Sequence, residues 1–186
     1  MNQPQDEPRR IMVIVASDND LPQCKLGLQY LEEAENEGRV HVLAVKTMSI
    51  HRNNGKVRKF LKERSEWNDV DVLIIIAGWS NQITATADAI LRNDFGNTNI
   101  VVIGGAIEDP DDPEHTKAAI SGIIHAPGNQ VVFENFVGEE GILNACAHAV
   151  RGELPVIKIP KPREVHHRSL KSALQFIKQK KEEKQS

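Results

Sequence analysis

The sequence predicts an α/β domain: a mostly parallel sheet of about five strands, helices on both faces, and a helical extension at the C-terminus. Three observations lead there. Short, almost continuously apolar runs recur at residues 11–16, 40–45, 72–77, 100–103 and 130–136. Stretches with apolar residues at helical spacing separate them. The 186 residues suit one domain whose core is aliphatic, since aromatics make up only 4% of the chain. A strand that is apolar along its whole length must be covered on both faces, which a parallel sheet between two helical layers provides. Right-handed crossovers then favour a doubly wound three-layer sandwich, in which ligands gather at the C-terminal ends of the strands.

The elements follow in order. Residues 1–10 are polar, without the apolar stretch of a signal peptide, and read as a disordered leader. The domain spans 11–152. Cys24, Leu28 and Leu31 lie at i, i+4, i+7 and define the first helix. Val57, Phe60 and Leu61 define the second, and Ile83, Ala87, Ile90 and Leu91 the third. Ala118, Ala119 and Ile123 supply a fourth helix, and Ile142, Leu143, Cys146 and Val150 a fifth. Residues 153–186 change character: a proline-bounded extended stretch precedes a basic helix with the stripe Leu170, Ala173, Leu174, Ile177. That stripe packs either on its own domain or on a neighbouring subunit.

Charge and cysteine content narrow the function classes. The formal net charge is −3, and nothing demands a nucleic-acid partner. Residues 161–186 hold eight Lys/Arg against three Glu, which reads as a solvated helical face. Cys24 and Cys146 fall in apolar helical patterns and read as buried free thiols of a cytoplasmic protein. No apolar run approaches the length of a membrane span.

Three strand ends carry polar residues that a core does not need. After the first comes Ser17-Asp18-Asn19-Asp20-Leu21-Pro22. Local capping accounts for part of it: Asp20 as helix cap, Gln23 completing a box-like pattern, Pro22 in the first turn. Ser17, Asp18 and Asn19 are left over, at a place where hydroxyl and carboxylate oxygens suit ribose hydroxyls. After the second strand comes Ser49-Ile50-His51-Arg52. Arg52 offers a planar fork of donors for phosphate, and His51 is a group able to move a proton near neutral pH. After the third comes Ala77-Gly78-Trp79-Ser80-Asn81-Gln82, where Gly78, Ser80 and Asn81 suit an anion or a planar ligand. Taken singly, the second reads more simply as a surface His-Arg pair in a turn and the third as a loop with an Asn or Ser cap. The acidic stretch from Ile107 to Glu114 lacks the spacing of a calcium loop and reads as a solvated turn. His166 and His167 are adjacent, so they point apart and read as surface residues. His148 reads as structural.

Together these motifs resemble the phosphoribosylaminoimidazole carboxylases and carboxyaminoimidazole ribonucleotide mutases, the PurE family. Ser17-Asp18-Asn19-Asp20-Leu21-Pro22 is similar to that family's S-D-S-D-x-P motif, and Ser49-Ile50-His51-Arg52 to its S-A-H-R. Ala77-Gly78 opens the third-strand loop at the expected place, and Ala126-Pro127-Gly128 looks like its proline turn. Gly138-Glu139-Glu140-Gly141-Ile142-Leu143-Asn144-Ala145 resembles its late G-K-A-G-x-x-N-A segment. The resemblance covers about residues 11–152, and several short motifs in register are more specific than any one alone.

The resemblance implies a flavodoxin-like sandwich, usually octameric, with sites at subunit interfaces. It implies carboxylation of aminoimidazole ribonucleotide at C4 in purine biosynthesis, by a mutase (an isomerase) or a carboxy-lyase, without metal or organic cofactor. Ser17, Asp20 and Arg52 would hold the ribose phosphate of a phosphoribosyl aminoimidazole nucleotide, and His51 would be the general acid/base. The third-strand loop departs from the pattern. Trp79, Ser80, Asn81 and Gln82 replace small residues, Thr84 stands where the family has histidine, and the L-P-G turn is missing. His125 stands where the family has glutamine and is a candidate substitute for the lost polar group. These departures sustain an alternative: a non-catalytic or repurposed relative that binds a phosphoribosyl nucleotide. A flavoprotein is a third class, with Trp79 alone well placed to clasp a flavin.

Overall fold

A computed structural model describes residues 7–184. Residues 1–6 of the expected leader lie outside that range, while Arg9 and Arg10 already belong to the first strand. Four strands form a parallel sheet: β1 (Arg9–Val15), β2 (Val40–Thr47), β3 (Val72–Ala77) and β4 (Val101–Ala106), in the order β2-β1-β3-β4. Among the described residues six α-helices accompany them: α1 (Lys25–Asn36), α2 (Ile50–Trp67), α3 (Gln82–Ala89), α4 (Pro113–Ile124), α5 (Gly138–Arg151) and α6 (Leu170–Glu182). The fold is the expected α/β sandwich, flavodoxin-like in strand order.

Side-chain alternation along the strands divides the core in two. Ile11, Val13 and Val15 of β1 join Ile74, Ile76 and Ile103 on the face covered by α1 and α5. Met12 and Ile14 join Leu73, Ile75 and Val102 on the face covered by α2 and α3. Every residue of β3 and β4 is buried, as their unbroken apolar runs require. β2 alternates instead because it is an edge strand, with Leu43 and Val45 exposed.

The fifth apolar run does not become a strand. It makes two isolated parallel bridges to β4, Ile103 with Val132 and Ala106 with Val137, and so lies along that edge as an irregular fifth member. The Asn135 backbone at φ 57 interrupts its pleat. The segment is held from the side by a buried ion pair. Arg92, 1% exposed, donates to Asp88 and to the carbonyls of Asn97 and Ile100, and the other Asp88 oxygen accepts the Gln130 N–H at 3.0 Å. Every donor and acceptor named there is satisfied, which is the condition under which a buried pair is tolerated.

The C-terminal region separates into two parts. Gln130 exchanges two hydrogen bonds with the Lys158 backbone, and Ile157 enters the core, so the extended stretch is docked. α6 is not: none of its residues is buried, and Leu170, Leu174 and Ile177 are exposed. Packing of the stripe on its own domain is therefore not found among the described residues. Both thiols are buried and free. No helix among the described residues is long and apolar enough to cross a membrane.

Candidate functional site

The chain leaves β1 for β2 on one side and later places β3 on the other, so the sheet's topological switch lies between β1 and β3. The turns after β1, β2 and β3 meet there and enclose a cavity of about 510 Å³, where doubly wound sheets bind their ligands. Of the residues expected from sequence, Ser17, Asn19, Asp20, Ser49, His51, Arg52, Gly78, Ser80 and Asn81 all line it. Asp18 and His125 do not. Asp18 turns toward β2, where its carboxylate accepts the Thr47 hydroxyl at 2.7 Å. His125 is an exposed residue at the C-terminal end of α4.

The first turn is a 3-10 helix, Asp18–Cys24. Its cap is Ser17, whose hydroxyl accepts the Asn19 N–H at 3.2 Å, and not Asp20 as the sequence pattern suggested. Gln23 completes no capping box. Its amide exchanges two hydrogen bonds with the Glu108 backbone across the sheet end. Asp20 lines the cavity, where the backbone N–H groups of Gly78 and Ser17 favour its ionised form. Burial pushes that carboxyl above the usual aspartate range, and the two N–H groups only partly offset it.

The second turn is the N-terminus of α2. Ser49 caps it by backbone conformation only, leaving its hydroxyl unused by the helix. Asn53 departs from helical geometry at φ −129, ψ 26. Its side chain accepts the Ser49 N–H, and its own N–H reaches the Ser49 carbonyl at 2.7 Å. The first turn of α2 is thus a separate unit across a kink, and it presents His51 and Arg52. Both side chains are exposed, and neither has a hydrogen bond or ion pair among the described residues.

The third turn is built the opposite way. Asn81 is 2% exposed, and its amide donates to the carbonyls of Ala77 at 3.3 Å and Gly105 at 3.0 Å. Its carbonyl oxygen accepts the Thr84 hydroxyl at 2.6 Å. The Asn81 side chain is therefore a clamp joining the ends of β3 and β4, and Thr84 is part of it. Expecting Asn81 to bind substrate through its side chain does not fit these partners. α4 presses on this turn from outside: a Cβ at Gly122 would sit 1.8 Å from the Ser80 carbonyl oxygen. Trp79, absent from the residues expected to bind, also lines the cavity. Its indole is 70% exposed and stacks on His115 at 4.2 Å, so it forms a rim and does not fill the interior. The acidic stretch before α4 orders itself around Asp109, which accepts the N–H groups of Asp111 and Asp112 and lies 2.9 Å from His115 Nδ1. His148 packs edge-on against Phe136, and its Nδ1 lies 3.7 Å from the Glu134 carboxylate.

The cavity lining thus includes exposed donors, a half-buried acceptor and an aromatic ring. Among the described residues no group of three His, Cys, Asp or Glu is placed to hold a metal ion.

No family model matches the chain, and no curated protein is similar enough in sequence to count as a match. Solved structures do match. A serine-to-aspartate variant of PurE2 from Treponema denticola superposes with a TM-score of 0.53, over 95% of this chain and 96% of that one, at 15% identity. Treponema denticola PurE gives 0.51 over 94% and 95%, at 16% identity. At such identity the likeness is one of architecture: this chain has a divergent PurE-like fold.

Proposed function

We propose that the cavity binds a phosphoribosyl aminoimidazole nucleotide and that the chain carboxylates or rearranges it at C4, with His51 as general acid/base. The observation that carries this reading is the meeting of Asp20, Ser49, His51 and Arg52 at one strand-end cavity. Arg52 and the start of α2 supply positive charge for the phosphate. Asp20 and Ser17 supply oxygens for ribose hydroxyls. At C4 the reaction exchanges a proton for a carboxylate, so a base must take the proton and a matched acid return it. An exposed imidazole on a fixed turn does both near neutral pH without a metal.

A second reading has its own support. The third-strand loop spends its polar side chains on Asn81 and Thr84, so it has few groups left for a migrating carboxylate. That favours a relative that binds the nucleotide without turning it over. One experiment separates the two: incubation with carboxyaminoimidazole ribonucleotide, following the ultraviolet spectrum. Turnover that falls by about 100-fold or more in His51→Asn, with nucleotide still bound, is expected from general acid/base catalysis. Binding without turnover in the natural chain supports the second reading. We also read the uncovered α6 stripe as a contact with a second copy of the chain, so deleting 164–186 lowers the solution mass to that of a smaller assembly.

A further inference from the structure

Trp79 stands in a backbone conformation that bulky residues avoid, with φ 53. Such a conformation persists only where the surroundings impose it. On one side the Asn81 N–H closes the turn onto the Gly78 carbonyl at 3.0 Å, and the Asn81 amide is clamped to two strand ends. On the other, α4 abuts the Ser80 carbonyl so closely that Gly122 admits no Cβ. The indole itself is backed by the His115 imidazole, with ring centroids 4.2 Å apart and planes within 15°. His115 is in turn fixed by Asp109 at 2.9 Å. A large apolar ring is thus held rigidly at the rim of a cavity, largely in water, by a chain of contacts that leaves it little freedom to collapse.

An exposed, pre-positioned indole loses little entropy when a flat ligand covers it, and π-faces stack on one another in an offset arrangement. We propose that Trp79 is the platform on which the planar ring of a ribonucleoside 5′-monophosphate stacks, making ring area a selection criterion of this pocket. The proposal rests on the phosphoribosyl reading of Arg52 and adds what the other end of the ligand meets. Stacking accepts any flat heteroaromatic ring, so the pocket takes purine as well as imidazole nucleotides, and a fused bicyclic ring gains more than a single one.

The two tryptophans are Trp67 and Trp79. Trp67 lies at the far end of α2 from His51 and Arg52, so Trp67→Phe leaves Trp79 as the sole indole reporter. In that background, ribose 5-phosphate, aminoimidazole ribonucleotide and adenosine monophosphate are titrated by indole fluorescence and by calorimetry. The expected result is quenching by the two nucleotides, affinity rising in that order, and a gain of roughly 10-fold for the ring over ribose 5-phosphate. In Trp79→Ala, followed by calorimetry, the gain disappears while ribose 5-phosphate binds as before. Trp79→Phe keeps part of it. Equal affinity for all three, or nucleotide affinity unchanged in Trp79→Ala, overturns the platform and leaves the phosphate reading standing. Failure of ribose 5-phosphate and both nucleotides to bind overturns both.

Discussion

The turns after β2 and β3 border the same cavity and are built on opposite plans. After β2, the Ser49 hydroxyl, the His51 imidazole and the Arg52 guanidinium border the cavity with no partner among the described residues. After β3, Asn81 and Thr84 consume one another's hydrogen-bonding capacity in a buried clamp. Both turns are rich in polar residues, so composition does not distinguish them. Burial does. A polar side chain that is buried must be satisfied from within, and it then serves the scaffold. One left unpaired at a cavity edge adds little to stability and is available to a ligand. The same separation of roles places the tolerance to mutation on one side of the site and the fragility on the other.

Substituting the clamp gives the largest effect expected. Asn81→Ala removes the amide donor to the Gly105 carbonyl and the acceptor of the buried Thr84 hydroxyl, while the Ala77 carbonyl keeps the Ile107 N–H. The estimated loss is about 2–4 kcal/mol, or roughly 6–12 °C in melting temperature for a chain of this size. A thermal melt within about 2 °C of the parent would contradict the clamp. Arg52→Ala is the mirror experiment. Removing an exposed, unpaired side chain leaves the melt within about 1–2 °C, while affinity for ribose 5-phosphate falls by roughly 10- to 100-fold. Calorimetry reads the second number, and a stability loss like that of Asn81→Ala would erase the contrast between the turns.

The smallest effect belongs to Asp20, which lies between the two. Its raised carboxyl makes protonation favour the folded state. Its contribution is therefore fully present below the unfolded aspartate value and is lost as pH rises through the folded one. At pH 7 the ionised group is a cost, discounted because Asp20 is only half-buried. Asp20→Asn should raise the melting temperature by about 1–2 °C at pH 7, with the gain shrinking below pH 4, and it should weaken nucleotide binding. A variant less stable than the parent at pH 7 would show that the two N–H contacts outweigh burial.

Sequence reading captured the sandwich because unbroken runs such as Val72-Leu73-Ile74-Ile75-Ile76-Ala77 have no other stable home. It captured the cavity because strand ends are where such sheets collect polar residues. It offers Asn81 as a ligand contact, whereas the structure engages that side chain in a buried clamp, since an amide in a turn looks the same whether it ends up buried or exposed. Asp18 was assigned to the cavity for the same reason, although Thr47 on the neighbouring strand takes it. The Asp88–Arg92 pair reads as an ordinary i, i+4 surface pair. Both residues lie to one side of the apolar stripe of Ile83, Ala87, Ile90 and Leu91, so helical spacing carries no sign of their burial. The fifth run is not a regular strand because Asn135 at φ 57 breaks its extension, leaving two separate bridges to β4.

The two thiols have a use that follows from their burial. Cys24 and Cys146 sit where α1 and α5 meet, close enough that a Cβ on Gly27 would lie 2.8 Å from the Cys146 sulfur. Burial pushes both up to about 12, so thiolate is scarce in the folded chain at neutral pH. A thiol reagent in solution can reach them only when that helix pair parts from the sheet. Their labelling rate is then a clock for the opening of one face of the molecule.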